Sequence, residues 1–472
     1  MRRALYLLCL LPLLVLTACD DDEGGNSVIN YDAIDLISYS QHVQPIFSAS
    51  CTRCHGPNLA EAGLRLDSWE NIVKGSDNGE ALIAFRSDDS RIMRMLTKLV
   101  GGPHPAEVGS TALLPSEQTF LARWIDEGAI NDAKQNPYQN ASDLLYVCCQ
   151  DAAQVRIVDM ASNNVIRVVD LVELGYSDKC SPHHVAVEPD GSYWYVSLIG
   201  DNRVVKLNPR NEVVTDISII KPGLLEIDPN SDLLYISRSM TAPQDISTVG
   251  VIDRGTMLPV IGDTDGEIPV QFELPHALEL DASGRYLYTG SLVEGAYMRY
   301  DTQSEDLISG SIAPGSGPLE AELSPDGSRL FYTGQADGKL YAFNVNGGDE
   351  PVAASTLEIG SKPWHMDFAP DGELLYVALN GDNRVAVVNS ADNTLRAMVQ
   401  GNGLAMPHGV VVSPDGKYVY VSNRNKDGSY TPRHDFGNNE FDGTLVVIST
   451  FDSQIVKVLE LAALPTGANI AR

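Results

Sequence analysis

At 472 residues the chain exceeds one ordinary compact domain, and its 43% apolar content excludes wholesale disorder. The formal charge of −30 at pH 7 excludes nucleic acid and anionic membrane surfaces as partners, because both repel such a chain. A cationic protein surface or a metal ion is compatible with it.

The first element is a targeting segment. Arg2 and Arg3 precede an apolar stretch over 4–16 that is too short to span a bilayer comfortably. It ends in Leu16-Thr17-Ala18-Cys19, which resembles the lipobox of bacterial lipoproteins. The resemblance implies cleavage before Cys19, diacylglycerol on its sulfur, and attachment to a membrane by the lipid anchor alone. Residues 1–19 are therefore expected as signal peptide and lipobox, and 20–38, which open DDDEGGNSVIN, as a flexible acidic tether. The expected location is the bacterial cell envelope, on its periplasmic or cell-surface side.

Next comes Cys51-Thr52-Arg53-Cys54-His55, the attachment motif for c-type haem. Two thiols at this spacing reach the two vinyl groups on one porphyrin edge, and the adjacent imidazole ligates the iron. No second cysteine pair lies nearby to complete a zinc site. The flanks, YSQHVQPIFSASCTRCHGPNLAEAGLRLDSWENIVKG and LPSEQTFLARWIDEGA, resemble the small cytochrome c domains of multidomain bacterial envelope proteins. The resemblance implies a domain over 39–132, with a helix before the motif and a last helix bearing Trp124-Ile125 and Gly128-Ala129. In that family the sixth iron ligand is a methionine followed by proline. Here the loop reads GGPHPAEVGSTALLPSEQ, and His104-Pro105 stands at that place. Bis-histidine ligation by His55 and His104 is expected, with Met93 and Met95 as the alternatives. Met95 falls at helical spacing with Ile92, Leu96 and Leu99, a core pattern. Histidine for methionine implies a lower potential. His42 reads as a surface or packing residue.

After a linker over 133–143 the chain repeats. The unit is an alternating strand, an Asp-Gly turn and an aromatic strand, as in HVAVEPDGSYWYVSLIGDNRVVKL and GVVVSPDGKYVYVSN. Tyr146, Tyr195, Tyr235, Tyr288, Tyr332, Tyr376 and Tyr420 mark it at intervals of 40 to 53 residues. Seven units of four short strands predict an all-β seven-bladed propeller over 144–472, behind a small all-α domain. The first unit lacks an innermost strand, which the terminal LPTGANIAR supplies, closing the ring. The repeats resemble YVTN-type surface and envelope propellers, a likeness that carries the fold better than an activity.

Histidines recur at one place in these repeats. His183, His276 and His408 stand eight residues before the glycine of the first hairpin, and His184 and His365 stand seven before it. Equivalent positions on innermost strands converge on the channel, so five imidazoles are expected to bind a metal, copper or another transition metal, or a redox cofactor. A duplicated Pro-His pair at the start of a strand is the bland alternative. His434 and Cys180 are candidate additional ligands. An oxidising compartment also favours one disulfide among Cys148, Cys149 and Cys180.

The expected function is electron transfer by a membrane-tethered c-type cytochrome, with a redox partner that presents a cationic surface. In its enzymatic form this is an oxidoreductase acting on a small-molecule substrate at the propeller channel. In its non-enzymatic form the haem relays electrons and the propeller docks a protein or serves as structure.

Overall fold

The computed structural model describes residues 29–471, except 98–103, 106–111, 240–245, 261–265, 314, 347–349 and 434–441. The expected leader, Cys19 as the expected site of lipid attachment, and His434 lie outside the described residues. No described helix is long and apolar enough to cross a membrane.

The N-terminal domain is built on four short helices, α1 (Gln44–Ser50), α2 (Trp69–Lys74), α3 (Arg91–Thr97) and α4 (Pro115–Asp126). Local chemistry sets their limits. Ser68 caps α2 by accepting the Asn71 N–H, and Gly75 ends it at φ 77°. Pro115 opens α4, while the Glu117 carboxylate takes the Leu114 N–H at 2.8 Å. The Trp-Ile…Gly-Ala signature has a mechanical reason. Gly128 N–H bonds the Ile125 carbonyl and Ala129 N–H the Trp124 carbonyl, with Gly128 at φ 102°, so the signature is a Schellman stop. Trp124 itself is fully buried, with ring centroids 5.7 Å from Tyr39 and 6.3 Å from Phe47. The domain also starts earlier than expected. Tyr31 and Ile37 are buried in its core, so residues 31–38 pack rather than tether. His42 is a packing residue whose Nδ1 accepts the Ser38 N–H at 3.0 Å.

The remainder is a ring of seven antiparallel sheets, as the repeats imply. The last strand (Pro465–Ile470) pairs with the first (Leu144–Cys149), Leu145 opposite Ile470, and becomes the innermost strand of blade one. Blade three departs from four strands: its third strand (Thr248–Asp253) carries two short outer partners, Leu258–Pro259 and Glu267–Pro269. The repeat tyrosines are buried between blades, six of them at 1% exposure or less.

Every innermost strand starts the same way. A residue at positive φ (Ser181, Lys221, Leu274, Gly317, Lys362, Met406, Leu464) is followed by proline. Pairing with the second strand is then interrupted, for example between Pro182 and Val185 and between Pro407 and Val410. Side-chain hydroxyls of the second strand take the freed N–H groups: Ser197 takes that of His184, and Ser422 that of Gly409. This is a β-bulge, a device that re-aims the two residues after the proline. The recurrent histidines occupy those two residues.

The two domains share one interface. Ile83 is fully buried among Val147, Val165, Leu459 and Leu461, in the seam where blades seven and one meet. Around it, Asp89 accepts from Arg86 (3.1 Å), Arg94 (3.2 Å) and, across the interface, Arg156 (2.9 Å).

Candidate functional sites

The first site is the cleft behind the CTRCH turn. Cys54 N–H and His55 N–H both bond the Cys51 carbonyl, which places the two sulfurs and the imidazole on one face. The cleft encloses ≈ 830 Å³, open space at its mouth included, and Phe47, Leu64, Leu66, Leu96, Leu113 and Leu121 form its apolar wall. His55 and His104 both line it, with ring centroids 6.0 Å apart. Two imidazoles trans on one metal, each nitrogen at ~2 Å and each centroid about 1.1 Å behind it, stand about 6 Å apart. The residues thus fit a c-type haem: two cysteines on one edge, an apolar cleft and two imidazoles at ligand spacing. His55 Nδ1 is buried without a hydrogen-bond partner. Burial, then the proximity of His104, holds the His55 pKa below its ordinary value, which keeps the imidazole neutral as a ligand must be. Burial pushes the Cys51 thiol up to about 12, so it is inert as a free thiolate nucleophile. Met93 is packed in the domain core, whereas Met95 lies on the cleft wall and its carbonyl accepts the His104 N–H.

The second site lies at the end of the propeller channel where the innermost strands start, and its histidines are buried there. His183 lies 6.0 Å from His276 and 5.9 Å from His408 between ring centroids, and His408 lies 4.6 Å from His365. His276 Nδ1 stands 2.7 Å from the Leu319 carbonyl and His365 Nδ1 2.8 Å from the Glu320 carboxylate. Both must donate there, which leaves their Nε2 atoms as lone-pair acceptors. These two Nε2 atoms are buried without partners, as are both ring nitrogens of His183 and Nδ1 of His408. Burial holds His276 down to about 4 and His365 down to about 3, so all are neutral at physiological pH.

The expected set of five divides. His184 turns to the neighbouring blade, where its Nδ1 accepts the Leu225 N–H at 3.2 Å. Among the described residues no three His, Cys, Asp or Glu side chains are disposed to hold a metal ion. Within blade two the bulge aims its two residues apart, His183 to the cluster and His184 away from it, whereas in blade six the second residue, His365, reaches His408. The disulfide expectation also fails in the structure: Cys148, Cys149 and Cys180 are free thiols. Cys148 and Cys180 share one core cluster, while Cys149 faces another.

Sequence reasoning missed two residues of this site. Trp364, at the position held elsewhere by His183, His276 and His408, has its ring 5.0 Å from His408. Arg424 lies with its guanidinium 5.2 Å from the Trp364 ring. It stands four residues after a repeat tyrosine, where the other six blades carry uncharged residues, Gln150, Ile199, Ser239, Leu292, Ala336 and Asn380. That break in the repeat was the available signal. Deeper in the channel, Glu226, Glu279, Glu322 and Asp367 recur at one register position. Glu279 and Asp367 accept main-chain N–H groups of the next blade, Leu323 at 3.0 Å and Val412 at 2.7 Å, and so tie the ring together.

Comparison with known proteins agrees with both halves. A family model described as Planctomycete cytochrome C matches residues 51–101, and one described as Lactonase, 7-bladed beta-propeller matches 203–435. Hydrazine synthase of Kuenenia stuttgartiensis is similar at 20% identity over 66% of this chain and 94% of that chain, with a TM-score of 0.51. The periplasmic gluconolactonase of Pseudomonas aeruginosa is similar at 19% identity over 70% and 99%, with a TM-score of 0.53. A functionally unknown protein of Desulfotomaculum acetoxidans is similar at 13% identity over 70% and 99%, with a TM-score of 0.54. These structures share the fold. No curated protein sequence matches.

Proposed function

We propose that this chain is an exported, lipid-anchored electron-transfer protein of the bacterial envelope, with a bis-histidine c-type haem on a propeller of the YVTN kind. Cys51 and Cys54 would hold the haem covalently, and His55 and His104 would be its iron ligands. The observation that carries this reading is the 6.0 Å separation of the two imidazoles across an apolar cleft that Cys51 also lines, three residues from Cys54. A bound haem supplies a one-electron iron couple. The chain's own residues keep His55 neutral and anchor the wall of the cleft. Asn78 and Glu80, on that wall, are held from the propeller by Arg433 and by the Val165 N–H. Its redox partner would present a cationic surface to a chain of charge −30.

The test is the visible and EPR spectrum of protein matured with haem. Wild type is expected to be six-coordinate and low-spin. His104→Ala is expected to become high-spin and to recover on adding imidazole, and His104→Met to raise the potential. A low-spin His104→Ala spectrum identical to wild type would transfer the ligand role to Met95. For the anchor, Cys19→Ala should release the protein from membranes.

A second reading concerns the buried channel histidines: a transition metal on His276 and His365 Nε2. It is favoured by their Nδ1–H groups being donated to a carbonyl and a carboxylate, the outer-shell arrangement of metal-binding histidines. Elemental analysis of envelope-matured protein, at one haem iron and no further metal, would remove it.

A further inference from the structure

Arg424 is a cation without an anion. Among the described residues it makes no ion pair, and its Nε is buried with no hydrogen-bond partner. Asp151 acts on it only at a distance. Carboxylates are not scarce in a chain with 63 acidic and 33 basic residues, and Glu320 is spent on His365, so the lack of one within ion-pair distance of the Arg424 guanidinium calls for a reason. A desolvated guanidinium that lacks a partner is costly, and a carboxylate or similar oxyanion is its best complement. The groups beside it are equally unfinished. Trp364, 6% exposed, has a buried indole Nε1–H with no acceptor. His183, also 6% exposed, has two unpartnered ring nitrogens. His276 and His365 offer unpartnered acceptors, because each donates its Nδ1–H elsewhere.

We infer that this buried cluster of unpartnered polar groups binds a small organic anion carrying a hydrogen-bond donor beside its carboxylate, in chemical class a hydroxy or amino acid. Arg424 and Trp364 receive the carboxylate, and His276 or His365 Nε2 accepts from the hydroxyl or amine. His183 and His408 pack beside these groups with buried imidazoles. A bare cation meets Arg424 unfavourably, and an apolar ligand leaves at least five buried polar atoms unpaired. The inference goes beyond electron transfer at the haem and needs no metal.

The test is isothermal titration of glycolate and of acetate into full-length, haem-loaded protein treated with a chelator. Glycolate should bind at least about 10-fold more tightly than acetate, the worth of one well-made hydrogen bond. Arg424→Gln should lose at least about 10-fold for both ligands, and Trp364→Phe several-fold. Arg424→Lys should retain binding in part. Arg210→Gln, on an exposed side chain, should bind as wild type. Thermal unfolding of each variant separates lost binding from lost fold, and Arg424→Lys and Trp364→Phe decide the matter if Arg424→Gln does not fold. The inference is overturned by no binding of either probe at tens of millimolar. It is equally overturned by equal affinity for glycolate and acetate, by a folded Arg424→Gln that binds as wild type, or by binding that appears only when metal is returned. The last result would support the metal reading while refuting this one.

Discussion

Asp89→Asn tests whether the haem domain and the propeller form one cooperative unit. Asp89 is 5% exposed and accepts from three guanidiniums, of which Arg156 comes from the propeller and is 1% exposed. Burial alone would raise its pKa. Arg156, Arg86 and Arg94 outweigh that and hold the carboxyl below its ordinary value. Asparagine keeps the shape and removes the charge, leaving a desolvated cluster of arginines facing a neutral amide. Breaking a buried pair in this way costs about 3–5 kcal/mol, and solvent screening offers little relief at this burial. The assay is urea unfolding followed both by the haem band and by far-ultraviolet circular dichroism. Both transitions should shift together by that amount. The same linkage has a pH signature: because the folded pKa is depressed, the contribution is complete above the unfolded value of ~3.9 and is lost as pH falls through the folded one. A loss below about 1 kcal/mol, or a haem transition that shifts alone, would refute the reasoning.

Ile470→Ala, in the closing strand at 3% exposure, should cost about 2–4 kcal/mol in urea unfolding; a cost under about 1 kcal/mol would mean that the terminal strand does not close the ring. Burial pushes Lys457 down to about 8 from its ordinary 10.5, so the unfolded chain binds more protons between these values. Stability should therefore gain a contribution as pH rises from 8 to 10.5, and Lys457→Met should abolish that gain in a pH series of thermal unfolding.

Much of this was legible in the residues because it is local or periodic. CTRCH encodes its chemistry in five consecutive positions, and the Trp-Ile…Gly-Ala signature is a helix stop completed within six residues. The tyrosine repeat and the orphan first blade together imply seven sheets and a C-terminal closing strand, because an open sheet edge must be paired. The histidines could be aligned by counting back from the turn glycines. Counting could not show what a bulge does. Alternation along a regular strand predicts which face a residue takes, whereas an interrupted pairing re-aims two residues at once. His184 therefore left the set, and Trp364, which the histidine count passed over, joined it.

Other features were decided by contacts between distant segments. His104 and His55 are nearly fifty residues apart, and only folding sets their 6.0 Å separation. Arg424 meets Trp364 across two blades, and Asp89 meets Arg156 across two domains. In each case the partner is chosen by desolvation: a charge taken out of water is held by whatever the fold brings within reach. At Asp89 the fold brings three arginines. At Arg424 it brings, among the described residues, no carboxylate within ion-pair distance, an absence that one-dimensional spacing could not reveal.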